Sequence, residues 1–308
     1  MSPSAVTATV EDARAHPLGT QEGGRSRPAW LVVYLAIALT GFSANSLLTR
    51  FALDTGAIDP ATFMVGRLVS GAAVLTALAG RAGAAAGSWS SALTLVVYAA
   101  AFTLAYVRIG AATGALLLFG SVQATMVGWA VVRGERPTAR GWFGFALALA
   151  GLIGLTAPGL TAPDAIGALL MIVAGAAWGV YSLRGRGVAS PLSATAGNFL
   201  RAVPFALVIV ALDRHDAFVT ARGLLLAIAS GSLASGLAYA AWYAALTHLS
   251  AWRAAILQLS VPVITAGAAA VLLGEGLTVR LAGAGAAIVC GVALSVPRPH
   301  RESGCRKK

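Results

Sequence analysis

Two segments of this chain, 140 residues apart, carry one pattern. Residues Ala115–Arg140 read ALLLFGSVQATMVGWAVVRGERPTAR and Ala255–Arg280 read AILQLSVPVITAGAAAVLLGEGLTVR. Each is an apolar stretch long enough to cross a bilayer, closed by Gly-Glu and by Thr two residues before Arg. Gly134, Glu135, Thr138 and Arg140 fall on Gly274, Glu275, Thr278 and Arg280 without a gap. A chain built twice from such a unit has one hospitable solvent, because water does not tolerate that much exposed apolar helix.

The composition agrees. Of 308 residues, 58% are hydrophobic and 11% charged, with mean hydropathy +0.80, whereas soluble domains carry about 25% charge. The net charge of +11 does not indicate a nucleic-acid partner, since the basic residues lie between apolar runs and at the termini rather than on one face. Cys290 sits inside the last apolar run and Cys305 in the basic tail, so both are expected as free thiols. No His/Cys cluster has metal spacing, no nucleotide loop or nucleophile constellation is present, and no cofactor or enzymatic activity is expected. Residues 1–29 are polar and lack the apolar core of a secretory signal, which predicts a disordered cytoplasmic tail.

A hydrocarbon core of bilayer thickness takes about 20 apolar residues as helix. Runs of that kind predict ten spans: Trp30–Ala52, Pro60–Ala79, Ser91–Tyr106, Ala111–Val132, Gly141–Ala157, Ala165–Leu183, Leu192–Leu212, Gly223–Leu246, Ala254–Leu273 and Leu281–Val296. With the N-terminus inside, fifteen of the 22 basic residues are cytoplasmic, five lie on the opposite side and two, Arg67 and Arg201, fall within spans. That bias places both termini in the cytoplasm. Residues 30–158 and 165–297 then form two five-helix repeats, with a basic cytoplasmic tail at 298–308. An odd number of spans per copy turns the second copy upside down, so Glu135 and Glu275 are expected on opposite membrane faces. Inverted repeats of this kind are the architecture of secondary transporters, which open alternately to each side of a midplane site.

At this level of detail the chain resembles the drug/metabolite transporter superfamily, in particular its ten-helix EamA-type members. The resemblance runs from Trp30 to Val296. It is carried by GFSANSLLTRFAL in the first span, by the arginines of FMVGRLVSG and NFLRAVPFA, by GAAWGVYSLRGRG, and by AYAAWYAALTHLSAWRAAILQLSVPVITAGAAAVLLGEGLT. Pro262 and Gly274-Glu275 stand where the family pattern has them, while Val122 replaces the proline in the first half. The resemblance implies an all-α polytopic inner-membrane carrier with a central substrate cavity between the halves, and export of a small organic metabolite or drug. Its partners would be that substrate and the lipid, as a monomer or homodimer, with no nucleic acid. A non-transporting membrane sensor or assembly partner is the alternative, and the absence of a cytosolic output domain weighs against it.

Candidate site residues follow from charge and polarity at membrane depth. Arg67 and Arg201 are costly within spans: they either face the cavity and attract a carboxylate, or snorkel and hold backbone carbonyls of a neighbour. Asn45, Gln123, Asn198 and Gln258 need partners in hydrocarbon and are expected inside the bundle, against substrate or another helix. Tyr239, Trp242 and Tyr243 are further cavity candidates. Glu135, Glu275 and Pro262 are structural or gating candidates, since Gly before Glu commonly ends a helix. No Asp, Glu or His lies within any span, which argues against a buried-carboxylate proton relay. Gly175-x-x-x-Gly179 allows close helix approach, within one chain or between two.

Overall fold

The computed structural model describes residues 29–157, 164–212, 217–273 and 278–295; the two predicted tails, Gly274 and Glu275 lie outside them. These residues are almost wholly helical. The helices are α1 (Ala29–Asp54), α2 (Pro60–Ala84), α3 (Trp89–Tyr106), α4 (Ala111–Val132), α5 (Ala139–Thr156), α6 (Ala165–Gly185) and α7 (Pro191–Leu212). They are followed by α8 (Ala221–Leu246), α9 (Ala251–Leu272) and the shorter α10 (Val279–Ser295). The first nine are long and apolar enough to span a bilayer.

The helices α3, α5, α8, α9 and α10 begin two or three residues before the predicted starts, and the cause is capping. Ser88, Thr138, Thr220, Ser250 and Thr278 each accept a hydrogen bond from the backbone N–H three residues on, which draws the polar first turn into the helix. The duplicated Thr138 and Thr278 thus open α5 and α10. Gly134, at φ +81°, takes the left-handed position after α4, and the Glu135 N–H reaches back to the Ala130 carbonyl at 2.9 Å. That is the glycine-terminated helix end expected of Gly-Glu.

Three helices are irregular. α2 kinks at Gly80, whose φ of +68° is not helical. α8 opens as α-helix (Ala221–Ala229), widens into a π-helical segment (Ser230–Leu237) and resumes as Ala238–Leu246. α9 breaks at Leu259 between Ala251–Gln258 and Ser260–Leu273. Pro262 lies three residues beyond the break; it has no N–H and its ring crowds the carbonyl of residue 258. α4, with Val122 at the corresponding place, runs unbroken.

Packing between the halves is reciprocal. α2 lies along α7 and α5 along α10, while α1 packs on α8 as α6 packs on α3, and α1 meets α9 as α6 meets α4. This reciprocal pairing is the one expected of inverted five-helix halves. Glycine sets several of these contacts: a Cβ at Gly144 would sit 2.5 Å from the Gly291 carbonyl oxygen, and one at Gly291 would sit 2.4 Å from that of Gly144. Gly175 and Gly179 are likewise occupied within the chain, facing Leu118, Ser121 and Thr125 of α4.

Candidate functional site

The halves leave between them a cavity of about 470 Å³. It opens at the end of the bundle where α1 finishes, here the Arg50 end. Ser46 and Arg50 of α1, Tyr106 of α3, Thr156 of α5, Pro262 and Thr265 of α9, and Arg280 of α10 line it. No acidic residue is among the described lining, and Arg50 is paired with Asp54 at 3.3 Å. A smaller recess of about 30 Å³ shares its Ser46, Phe102, Leu118 and Phe119 walls and runs deeper, to Asn45, Tyr98, Trp178, Tyr239 and Gln258.

Beyond the recess the bundle is closed by aromatic rings. Trp178 packs edge-on against Phe42 at 5.1 Å and lies tilted against Tyr239 at 4.6 Å, and Tyr181 meets Tyr243 at 4.9 Å. Trp242 and Tyr243 stand below the recess rather than on its wall. Trp242 Nε1 donates to Ser182 Oγ at 3.1 Å, and the Tyr243 hydroxyl donates to the Tyr181 carbonyl at 3.0 Å. Both rings are buried and tie α8 to α6.

The two arginines in spans have different surroundings. Arg67 is fully buried behind the recess wall, and its Nε donates to Ser235 Oγ at 2.8 Å and its Nη2 to the Tyr239 hydroxyl at 2.7 Å. Its guanidinium carbon lies 5.4 Å from the Tyr98 ring centre. Among the described residues Nη1 has no hydrogen-bond partner and no carboxylate is within ion-pair distance. Arg201 is partly exposed and holds backbone: Nη1 donates to the Ala86 and Gly197 carbonyls and Nη2 to Ala85 at 2.9 Å. Asn198, one turn away, accepts from the Ser88 N–H at 2.9 Å. Both α7 residues therefore fasten the α2–α3 link and neither lines the cavity. In helix register Asn198, seven residues after Pro191 as Arg67 is after Pro60, is the counterpart of Arg67.

The amides are engaged. Gln123 Nε2 donates to the Ala255 carbonyl at 2.9 Å, joining α4 to α9, and Gln258 Oε1 accepts from Trp178 Nε1 at 2.6 Å. Asn45 Oδ1 accepts from Ser230 at 2.8 Å and Ser235 at 3.4 Å, both in the π-helical segment. Arg50, Arg280 and Phe42 on the walls, and Ser230 and Ser235 behind Asn45, are among the residues that apolar-run reading passes over. Serine hydroxyls hide in hydropathy sums, and Arg50 and Arg280 read as loop charges. The small-polar run SGSLASG in α8 is the signal that identifies the two serines.

Glu135 works at the opposite end. Its carboxylate accepts from the Ala251 and Trp252 N–H groups at 2.9 and 3.0 Å, at the N-terminus of α9, and lies 3.7 Å from Arg186 Nη2. Arg186 Nε donates to the Leu249 carbonyl at 3.2 Å. One carboxylate thus joins the α4–α5 link, the end of α6 and the start of α9, where helix dipole and free N–H groups favour an anion.

A ten-helix membrane bundle of inverted halves around a central cavity is the form of a secondary carrier. The chain belongs to the EamA-like transporter family, whose model matches residues 165–296, the α6–α10 half. It is 50% identical to an uncharacterized protein of Pseudomonas aeruginosa over 262 residues, covering 84% of this chain and 91% of that protein. A solved structure described only as a crystal structure of protein superposes with a TM-score of 0.70 at 23% identity, over 84% of this chain and 96% of that one. That likeness is of fold alone.

Proposed function

We propose that this protein exports a small organic metabolite or drug across the cytoplasmic membrane by alternating access. The observation that carries the reading is a central cavity between the halves, open at the Arg50 end and closed at the other by aromatic rings and the Glu135 contacts. The excess of basic residues at the Glu135 end favours placing that end and both termini in the cytoplasm; the conformation is then outward-facing. Exchange to the inward-facing form closes the Arg50 end and parts the Glu135 end, as inverted repeats permit. A cavity enclosed by the helices of one chain supports transport by a single copy. The test is counterflow in proteoliposomes: preloaded substrate must accelerate uptake of labelled substrate, with saturation. Absence of flux across a broad panel of metabolites and cationic drugs would overturn the carrier in favour of a sensing or assembly role.

A further inference from the structure

The deep part of the recess, around Asn45 and Tyr239, is built to give hydrogen bonds; nearer the cavity Ser46, whose proton goes to the Phe42 carbonyl, can accept. In the deep part the direction is set by Arg67. The guanidinium can only donate, so Ser235 Oγ, which accepts from Nε, must pass its own proton onward, and the acceptor is Asn45 Oδ1. Ser230 also donates to Asn45 Oδ1. The Asn45 side chain is therefore fixed with its oxygen turned to the serines and its N–H groups without a hydrogen-bond partner among the described residues. Tyr239, whose hydroxyl oxygen accepts from Arg67 Nη2, still carries its own proton, for which the neighbouring Tyr98 hydroxyl and an entering group are the rival acceptors. The other amide of the recess, Gln258, has its oxygen occupied by Trp178. Asn45 and Tyr239 both line the recess. Its deep part thus offers donors, backed one layer away by a buried cation with a partnerless nitrogen and no counter-ion among the described residues.

A charge so placed is expensive unless something pairs with it. Neutral hydroxyls satisfy two of its nitrogens but do not neutralise it. In a site of low dielectric a cation and aligned donors act strongly on an anion entering the recess. The walls leading there are aromatic and apolar, with Phe42, Phe102 and Phe119 beside Trp178.

We infer that the cargo supplies the missing counter-charge: it is an organic anion or zwitterion whose carboxylate, or comparable oxyanion, seats against Asn45 and Tyr239 in front of Arg67. Its flat or apolar portion lies against Phe42, Phe102 and Trp178. This rests on the carrier reading and names the substrate class of that same cavity. Arg201 takes no part, being committed to the carbonyls of the α2–α3 link.

Three probes with one body test it: phenylpropionate, phenylpropionamide and phenylpropylamine, measured against the full-length protein in detergent by thermal shift and tryptophan fluorescence. Phenylpropionate is expected to bind at least tenfold more tightly than the neutral amide or the amine. Arg67→Gln and Tyr239→Phe should each weaken it about tenfold or more, while Arg67→Lys keeps part of the preference. Equal or tighter binding of the amide or the amine, no binding of any of the three, or unchanged carboxylate affinity in a folded Arg67→Gln protein overturns the inference. The preference of the native protein decides the matter even where the variant does not fold. Counterflow of a cationic or neutral compound without carboxylate preference removes this substrate class and leaves the carrier standing. Carboxylate binding without counterflow of any compound removes the carrier alone.

Discussion

Arg67 and Arg201 read alike in the sequence, each a lone cation within an apolar run, yet they meet opposite surroundings. Arg67 is enclosed by α8 hydroxyls; Arg201 grips main-chain carbonyls of the α2–α3 link. Replacing Arg201 by Gln should lower stability by roughly 1–3 kcal/mol, because carbonyls lose charge-assisted donors. Substrate affinity should be unchanged. Denaturation in detergent together with a ligand titration checks both, and a selective loss of affinity at constant stability would contradict this assignment. That both arginines lie inside spans is legible from hydropathy. Their directions are not, because the residues that meet Arg67 are 168 and 172 positions away, and a hydroxyl leaves little trace in a count of apolar residues.

At the scale of helices, Glu135 caps a helix in the other half of the chain. Glu135→Ala leaves the first N–H groups of α9 without an acceptor and should cost about 1–2 kcal/mol. Hydrogen exchange at residues 251–254 should quicken accordingly; an unchanged rate would show that the cap carries no weight. Helix contacts make a second prediction. Gly144→Val drives a side chain into the Gly291 carbonyl and should destabilise by roughly 1–3 kcal/mol, whereas Gly128→Ala, with nothing within 4 Å of its Cβ, should be neutral or slightly favourable. Thermal unfolding of the two variants in one detergent separates them. The starts of the helices were readable to within about three residues. Where they were misplaced the error ran one way, since an apolar run begins one polar capping turn late. The break in α9 was foreshadowed by Pro262, but the widening of α8 was not, because no residue type marks a π-helical turn as proline marks a kink.

For the molecule as a whole, the duplication was the most readable feature, and the reciprocal packing of the halves follows from it. The described members of the duplicated pattern prove to be punctuation: Gly134 ends α4, Thr138 and Thr278 begin α5 and α10, and Glu135 fastens the halves together. The cavity's chemistry was less readable, since it depends on which groups remain unpaired after the helices dock. Orientation is open to direct measurement. With Cys290 and Cys305 replaced by Ser, Arg108→Cys should react with an impermeant maleimide in intact cells. Arg136→Cys should react only after the membrane is opened; the reverse pattern would invert the assignment of the two ends.

The widened stretch of α8 also works as a ruler. An α-helix turns about 100° per residue, so the angular position of everything after Leu237 depends on how many residues the stretch from Ser230 to Leu237 contains. Deleting Leu233, a lipid-facing residue at 61% exposure, would let the segment tighten to an ordinary α-helix. That deletion would keep Tyr239, Trp242 and Tyr243 in phase, whereas tightening at full length would swing them about a quarter turn away from Arg67, Ser182 and Tyr181. The phase of the binding surface is thus stored in the length of the chain as well as in its side chains. A helix exchanged between relatives would need a residue count matched to its helical form there before it needed matching residues.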